Sequence, residues 1–410
     1  MDATTAAAVP PAPVAALDSG RAWRNVVAAF FSSATTLGTA YSFGAFFESM
    51  STEFGTTRGA TAIVFGATTF TFFWLSLVTG RLVDRYGPKP LLVGAALSLA
   101  AGLWATSTVN SLTVGYLTYG AGVGIAAACG YVPMVAVVGG WFAQRRALAV
   151  GLSVAGIGVG TLVMSPLAAR LIDSLGWRDT YRTFGVAGPI VLLVCAVLVE
   201  RPPGSGAGAA PRFREALASP VFRRLHLSAV AFGLGLFVPF VFVVPYAKAN
   251  GVPAVRAALL VGLLGGSSVV ARAAFGGLTK RLGSFRLYRL CFASHALSFL
   301  LWLVAGGSFA MLVLFVVVLG VGYGGFVALS PVVLADRLGV AGLGSILGLF
   351  YTASGLGGLI GPPAAGAIID ATDSYRLPAA LAAAFGAIAF ALLLGLPVRD
   401  GRLEPEPTAA

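Results

Sequence analysis

Long apolar segments recur along the whole chain, and they constrain its fold more than any other feature. A helix needs about 20 predominantly apolar residues to cross the hydrocarbon core of a bilayer, and charges, prolines and glycines divide this sequence into twelve such segments. They cover residues 24–48, 60–82, 90–108, 112–138, 147–172, 180–199, 225–247, 255–278, 287–305, 309–334, 343–369 and 377–397. Only 10% of the 410 residues are charged, against about a quarter in a soluble domain. The sequence therefore predicts an all-α membrane protein with twelve transmembrane helices.

The distribution of Lys and Arg predicts which ends of the helices face the cytoplasm. Cytoplasmic loops of membrane proteins carry an excess of these residues, and placing both termini in the cytoplasm puts most of the 27 on that side. The others fall on the external side, at Arg58, Arg170, Arg178, Arg182, Lys248, Arg256 and Arg376, except for Arg272, which lies inside a span. The same bias accounts for the net charge of +12, so we expect no nucleic-acid partner. We expect a multi-pass protein of a bacterial-type inner (plasma) membrane.

The two halves of the sequence resemble each other at a nearly constant spacing. Residues 80–87 (GRLVDRYG) follow span two, and residues 276–283 (GGLTKRLG) follow span eight, 196 positions later. Spans five and eleven share glycines, a proline and an Asp, each 197 positions apart: Gly151, Gly158, Gly160, Pro166 and Asp173 match Gly348, Gly355, Gly357, Pro363 and Asp370. Such a repeat predicts two six-helix bundles that alternate around a site near the membrane midplane.

Polar segments set the expected domain boundaries. The two bundles are predicted at residues 21–200 and 225–398, joined by a cytoplasmic linker at 201–224 that begins with a Pro-Pro-Gly-Ser-Gly stretch. Residues 1–20 are rich in Ala, Pro and Thr and predict a disordered cytoplasmic tail, and residues 399–410 a second short tail.

The loop after span two resembles the signature loop of the major facilitator superfamily, whose members are secondary transporters built from two such bundles. Its sequence is GRLVDRYGPK, from Gly80 to Lys89. We expect Asp84 to act as a charge latch at the end of a helix, with Gly80 and Gly87 permitting close approach and a tight turn. The remaining members of this conformational latch are predicted to be Arg85, Lys89 and, in the degenerate copy, Arg281. The alternative is that Arg85 and Lys89 only satisfy the charge bias of the cytoplasmic loops.

Two further stretches resemble the monocarboxylate transporters within this superfamily. Residues 18–23 (DSGRAW) are similar to the family's acidic, Gly- and Trp-containing segment before helix one. Residues 141–156 (WFAQRRALAVGLSVAG) are similar to its segment leading into helix five, and the oxalate–formate exchangers share much of this pattern. The resemblance implies transport of small organic monocarboxylates of the lactate, pyruvate or formate class, either proton-linked or by anion exchange.

Arg272 is the central candidate for substrate binding. It lies eight residues before Lys280, hence about 12 Å along a helix from its predicted cytoplasmic end, and intramembrane charges are usually functional. No Asp or Glu of the sequence lies deep in any predicted span, so a substrate carboxylate would supply the counter-ion. Snorkelling of the side chain to the interface is the alternative. In the family resembled, an Ala-Arg pair of helix eight carries the substrate-binding arginine, and Ala271-Arg272 occupies that position.

Five more residues are predicted to line the same site: Tyr131, Tyr323, Tyr41, Ser268 and Tyr351. Two of them mark departures from the family's eukaryotic members, since Ser268 stands where those have an Asp and Tyr41 where they have a Lys. Proton coupling through that pair is therefore not expected. One cation suits one carboxylate, which favours a monocarboxylate over a dicarboxylate.

Alternative functions remain at this point. One is an exchanger or exporter of other organic anions, and a more remote one is a non-transporting membrane sensor or a membrane-embedded enzyme. The spans hold no convergent acids, histidines or nucleophile–base pair of the kind an enzyme needs, and the three widely spaced cysteines do not predict a metal site. We therefore expect no cofactor and no metal. The expected partners are a small organic anion, with or without a coupled proton, and the lipid bilayer, and we predict a monomer.

Overall fold

The computed structural model describes residues 17–203, 213–339 and 343–397, which form sixteen α-helices. In chain order these are α1 Gly20–Tyr41, α2 Phe43–Phe54, α3 Arg58–Tyr86, α4 Pro88–Ser107, α5 Leu112–Gly130, α6 Val132–Trp141, α7 Arg146–Leu175, α8 Trp177–Leu198, α9 Phe213–Ala218, α10 Pro220–Leu236, α11 Val238–Ala249, α12 Ala254–Leu282, α13 Ser284–Val304, α14 Phe309–Leu338, α15 Leu343–Thr372 and α16 Arg376–Leu394. Twelve segments among the described residues are long and apolar enough to cross a membrane, which confirms the sequence prediction.

Three of the twelve spans are each made of two helices. The breaks fall at Ser42, at Tyr131 and at Phe237, between α1 and α2, α5 and α6, and α10 and α11. Pro133 and Pro239 follow the last two breaks, and proline disturbs a helix because it lacks the N–H group and its ring meets the preceding turn. Ser42 instead donates its hydroxyl to the carbonyl of Thr39 at 2.8 Å, which satisfies a backbone group at the break.

Two predicted boundaries differ from the structure. Helix α1 begins at Gly20, within the segment predicted as a tail, because the Ser19 side chain accepts the N–H of Ala22 as an N-cap. Helix α10 begins at Pro220, inside the predicted linker, where the Ser219 side chain caps the helix in the same way and proline occupies the first helical position. The tails at 1–16 and 398–410 and the linker residues 204–212 lie outside the described residues.

The two halves form two bundles of six spans whose long helices meet pairwise. Helix α3 packs along α15, and α7 packs along α12. Helices α3 and α12 both have 29 residues and end at glycines of positive φ, Gly87 at 84° and Gly283 at 80°. The internal repeat seen in the sequence is thus a repeat of structure.

The contact between the two bundles is closest at one face of the molecule. The linker face is defined by the starts of α1 and α10 and the end of α16. The far face is defined by the ends of α2 and α15. Towards the far face, a Cβ on Gly44 would lie 2.5 Å from the carbonyl oxygen of Phe240. Towards the linker face, a Cβ on Gly80, Gly151 or Gly277 would meet no atom within 4 Å. Contacts between the bundles are therefore close at the far face, whereas these three glycines near the linker face have no close neighbour.

Candidate functional site between the bundles

Arg272 lies on α12 at the surface where the two bundles meet. Its side chain is buried, and its Nη1 atom donates to the backbone carbonyl of Val154 on α7 at 2.8 Å, across the bundle interface. Its Nε and Nη2 atoms are also buried and have no hydrogen-bond partner among the described residues. Buried donors are normally satisfied, and leaving a charged one unpaired is costly. Arg272 thus presents one free edge of two nitrogens, the edge with which a guanidinium binds a carboxylate.

Three of the predicted tyrosines surround this guanidinium. The Cζ atom of Arg272 lies 5.6 Å from the centre of the Tyr323 ring, a cation–π distance. Tyr41 is close enough to interact electrostatically with both Tyr323 and Arg272. Tyr131 is close enough to interact electrostatically with both Arg272 and Tyr323, and it sits at the break between α5 and α6. The structure therefore brings Arg272, Tyr41, Tyr131 and Tyr323 together from both bundles.

The hydroxyls of the other two predicted residues, Ser268 and Tyr351, donate hydrogen bonds to backbone carbonyls. Ser268 is fully buried and donates its hydroxyl to the carbonyl of Gly265 at 2.7 Å, within its own helix. Tyr351 donates to the carbonyl of Val327 at 3.4 Å and is an electrostatic neighbour of Tyr131 and Tyr323. Tyr351 therefore lies at the edge of the group formed by Arg272 and the three tyrosines, whereas the Ser268 hydroxyl is bonded within its own helix.

Sequence reasoning missed the apolar part of this site. The Tyr41 ring packs on Phe240 at 4.6 Å and on Phe65 at 6.3 Å, and Phe240 also meets Tyr323 at 6.1 Å. These rings close the site on the side of the far face. The Val154 carbonyl was missed too, because a backbone acceptor carries no side-chain signal in a sequence. In the sequence, Pro239 was the one signal that could have drawn attention to its neighbour Phe240.

The predicted latch residues lie at the ends of α3 and α12 and at the start of α4, on the linker face. Asp84 is exposed, and it has no ion pair among the residues that the structure describes. Arg85 stacks over the ring of Tyr86 at 5.2 Å, and Lys89 and Arg281 are exposed. Gly87 makes the predicted tight turn, and its φ of 84° favours glycine. Gly80 has no neighbour close enough for a close approach in this arrangement.

The two stretches that resembled a family meet at the linker face. The Asp18 carboxylate accepts the backbone N–H groups of Ala143, Gln144 and Arg145 just before α7, at 3.1, 3.2 and 3.1 Å. Burial opposes ionisation, but these hydrogen bonds and the charge of Arg145 hold the pKa of the Asp18 carboxyl below its usual range. Trp23 also packs edge-on against Phe142 at 5.1 Å. The two stretches are therefore one structural unit that joins α1 to α7.

These features define the class of the molecule: a polytopic helical membrane protein with a cationic site between two repeated bundles. Comparisons with known proteins agree with that class. A model of the family described as Major Facilitator Superfamily matches residues 28–307 and 286–410. Monocarboxylate transporter 4 of Mus musculus is 32% identical over 395 residues, covering 91% of this chain and 83% of the relative. Monocarboxylate transporter 3 of Rattus norvegicus is 31% identical over 378 residues, covering 88% and 76%.

Solved structures show the same fold at low identity. The nucleoside transporter NupG superposes with a TM-score of 0.73 at 13% identity, covering 92% of this chain and 99% of that one. A bacterial homolog of the human lysosomal transporter Spinster superposes with a TM-score of 0.71 at 14% identity, covering 92% and 97%. The chain belongs to the major facilitator superfamily and, within it, to the monocarboxylate transporter family.

Proposed function

We propose that this protein carries small organic monocarboxylates of the lactate, pyruvate or formate class across a membrane by alternating access, and that Arg272 binds the carboxylate. The observation that carries the proposal is the buried guanidinium between the bundles, whose Nε and Nη2 atoms have no partner among the described residues. The relatives at 31% and 32% identity are named monocarboxylate transporters.

The chemistry of the site favours one carboxylate. A charge inside a membrane protein is expensive unless it is paired, and a carboxylate pairs with a guanidinium through two parallel hydrogen bonds. Arg272 already gives Nη1 to Val154, so its remaining edge fits a single carboxylate group. Tyr41 and Tyr323 lie near this guanidinium, while Phe240 and Phe65 offer apolar surface to a short carbon chain.

We further propose that the linker face is cytoplasmic and that the membrane is a bacterial-type inner membrane. The excess of Lys and Arg on that face supports this orientation. We propose bundles close to the predicted 21–200 and 225–398, with first helices that begin at Gly20 and Pro220. We also propose that the structure is inward-facing, because the inter-bundle contacts are close at the far face and Gly80, Gly151 and Gly277 near the linker face have no close neighbour. In the outward-facing state we propose that Asp84, exposed here, pairs across the closed cytoplasmic end as a latch.

We propose that the protein exchanges one anion for another, and we prefer this transport mode to proton symport. Proton symport needs a group that titrates at the site, and within the described spans Arg272 has neither an acidic neighbour nor an ion-pair partner. Net uptake with a proton remains the second candidate, because a protonated acid could bring its own proton to Arg272.

Uptake into proteoliposomes tests the proposed function. Wild-type protein should exchange labelled lactate, pyruvate or formate for an internal unlabelled monoacid, and dicarboxylates of similar length should compete weakly. Arg272→Ala should insert and fold but transport none of them. Arg256→Ala is the matched control, because Arg256 is an exposed arginine of the same helix, and it should transport normally. Normal uptake by a well-expressed Arg272→Ala variant would remove Arg272 from the site.

A further inference from the structure

A carboxylate of one bundle caps a helix of the other at the far face. Asp370, near the end of α15, accepts the backbone N–H of Arg58 at 3.1 Å and that of Gly59 at 2.9 Å. These are the first two residues of α3. The Arg58 guanidinium lies 3.8 Å from the Asp370 carboxylate and 3.5 Å from that of Asp373. Four contacts therefore join the bundles around this carboxylate and its neighbour.

The physical basis of this contact is the unsatisfied start of a helix. The first N–H groups of a helix have no partner within the helix and carry partial positive charge, so they favour an anion. The Thr57 side chain satisfies the N–H of Ala60 from within the same bundle. The two N–H groups before it are satisfied from the opposite bundle instead, so separation of the bundles at this face exposes them together with the Asp370 charge.

Two glycines allow the approach. A Cβ on Gly366 of α15 would lie 2.6 Å from the backbone nitrogen of Gly59, and a Cβ on Gly59 would lie 2.9 Å from the nitrogen of Ala367. Any side chain at either position would push the two helices apart. A second ion pair between the bundles, from Lys248 to Glu48, lies at the same face.

The repeat-related interface between α7 and α12 lacks this arrangement. Asp173 on α7 corresponds to Asp370, but Ala169 stands in place of Gly366, and on α12 Ala254 and Val255 stand in place of Arg58 and Gly59. The N-cap position holds Pro253, which provides no side-chain hydrogen bond. Asp173 is exposed, and within the described part of the chain no hydrogen bond or ion pair joins it to α12. The Asp370 contact with the start of α3 is therefore a feature of one interface and not of the duplicated fold.

We propose that Asp370, with Arg58 and the glycine pair, is an external latch that holds the far face closed and must release before the far face opens. The inference rests on the alternating-access function proposed above. Because the latch makes its contacts only when the far face is shut, weakening it shifts the population of the protein towards the form that is open at that face.

Distance measurements between the bundles test the latch without any substrate. Nitroxide labels are attached to cysteines introduced by Thr52→Cys and Ala310→Cys, two exposed far-face positions in different bundles, after Cys129, Cys195 and Cys291 have been changed to alanine. Double electron–electron resonance is then recorded for the purified protein in lipid nanodiscs. Asp370→Asn should add a population at longer distance.

The matched control is Asp173→Asn, which removes the repeat-related carboxylate at the same face and should leave the distribution unchanged. Gly366→Val separates the same helices without altering any charge and should lengthen the distance as Asp370→Asn does. An unchanged distribution in both Asp370→Asn and Gly366→Val overturns the latch, and so does an equal shift in Asp173→Asn. Since the readout is a distance, its failure is distinct from a failure of the uptake experiment, which tests transport alone.

Discussion

Among single residues, we expect substrate binding to depend on the shape of the Arg272 guanidinium as much as on its charge. We predict that Arg272→Lys inserts and folds but binds substrate poorly, because an ammonium has no planar edge that gives a carboxylate two parallel hydrogen bonds while a further N–H contacts Val154. A lost hydrogen bond to a charged group costs about 1.5–3 kcal/mol, so the apparent affinity should fall roughly 10- to 100-fold. The apparent affinity is measured from the concentration dependence of exchange in proteoliposomes. A wild-type affinity in Arg272→Lys would show that the positive charge alone is enough for substrate binding.

The tyrosine hydroxyls give a second prediction at this scale. Tyr41→Phe keeps the ring packed at 4.6 Å from Phe240 but removes the hydroxyl near Tyr323. We expect KM for the monoacid to rise several-fold, with protein yield and thermal stability close to wild type. Tyr86→Phe serves as the control, because Tyr86 is exposed at the linker face. Equal KM values for the two variants would exclude the Tyr41 hydroxyl from the site.

The residues of the site were predictable from the sequence to different degrees. Arg272 was found because a cation without an acidic neighbour is conspicuous in a hydrophobic span. Tyr131 and Tyr323 were found through the glycines and prolines of their helices. Ser268 was chosen by its spacing from Arg272, and its hydroxyl is instead bonded to Gly265. Which helix faces meet across the bundles is decided by tertiary packing, so the Val154 contact could not be derived from one chain's pattern.

At the scale of helices, glycines decide how closely α1 and α7 approach. A Cβ on Gly156 would lie 2.2 Å from the carbonyl oxygen of Phe30, and a Cβ on Gly160 2.2 Å from that of Ala34. Small residues four apart let membrane helices pack at short range. We predict that Gly156→Val lowers the yield of monodisperse protein and its melting temperature, as expected for overpacking that costs about 1–3 kcal/mol.

Helix α7 carries its own control for that experiment. A Cβ on Gly151 meets nothing within 4 Å, so Gly151→Ala should be neutral or slightly stabilising, as is usual for glycine to alanine in a helix. Size-exclusion profiles and thermal unfolding in the same detergent compare the variants. A Gly156→Val protein as stable as Gly151→Ala would mean that α1 and α7 are not in close contact.

The Asp18 contact before α7 gives a prediction that depends on pH. Because the folded-state pKa of Asp18 is below its usual value, its contribution to stability is present above the unfolded pKa and is lost as pH falls through the folded pKa. Asp18→Asn should therefore lower the melting temperature at neutral pH, and the difference from wild type should shrink in acid. Asp173→Asn provides the control. A difference that stays constant down to acidic pH would show that the carboxylate charge does not matter here.

The helices themselves were predictable because the bilayer demands long apolar segments, and the described part of the chain holds the twelve that were predicted. The breaks inside three spans were not predicted. The break at Ser42 has no proline and depends on contacts such as that of Gly44 with Phe240 in the other bundle. The latch around Asp370 is of the same kind: the sequence showed a repeated Asp, but only the structure distinguishes it from Asp173.

For the molecule as a whole, Arg272 has no acidic neighbour within the residues that the structure describes, and this bears on proton coupling. His295 is buried in α13 between Phe232 at 4.1 Å and Phe299 at 5.2 Å, and neither ring nitrogen has a hydrogen-bond partner among the described residues. These contacts suit packing within one bundle. The site therefore offers an anion a cation and hydroxyls, and anion exchange requires nothing more.

We predict that counterflow of a labelled monoacid depends little on an imposed pH gradient, while net uptake can follow the fraction of neutral acid. Exchange and net uptake are compared in proteoliposomes with the membrane potential clamped. If exchange stops when the gradient is removed, a titrating group of the protein takes part in the cycle. His295→Ala would then be the first variant to examine.

Equilibrium binding measures whether Arg272 holds the carboxylate without requiring the transport cycle to run. Labelled lactate, pyruvate or formate is titrated onto purified wild-type, Arg272→Ala and Arg256→Ala protein at equal amounts of folded protein. The account predicts saturable binding of at least one of these acids to wild type and Arg256→Ala, displaced by unlabelled monoacid, and no saturable binding to Arg272→Ala. Undiminished binding of the same acid to Arg272→Ala would contradict it.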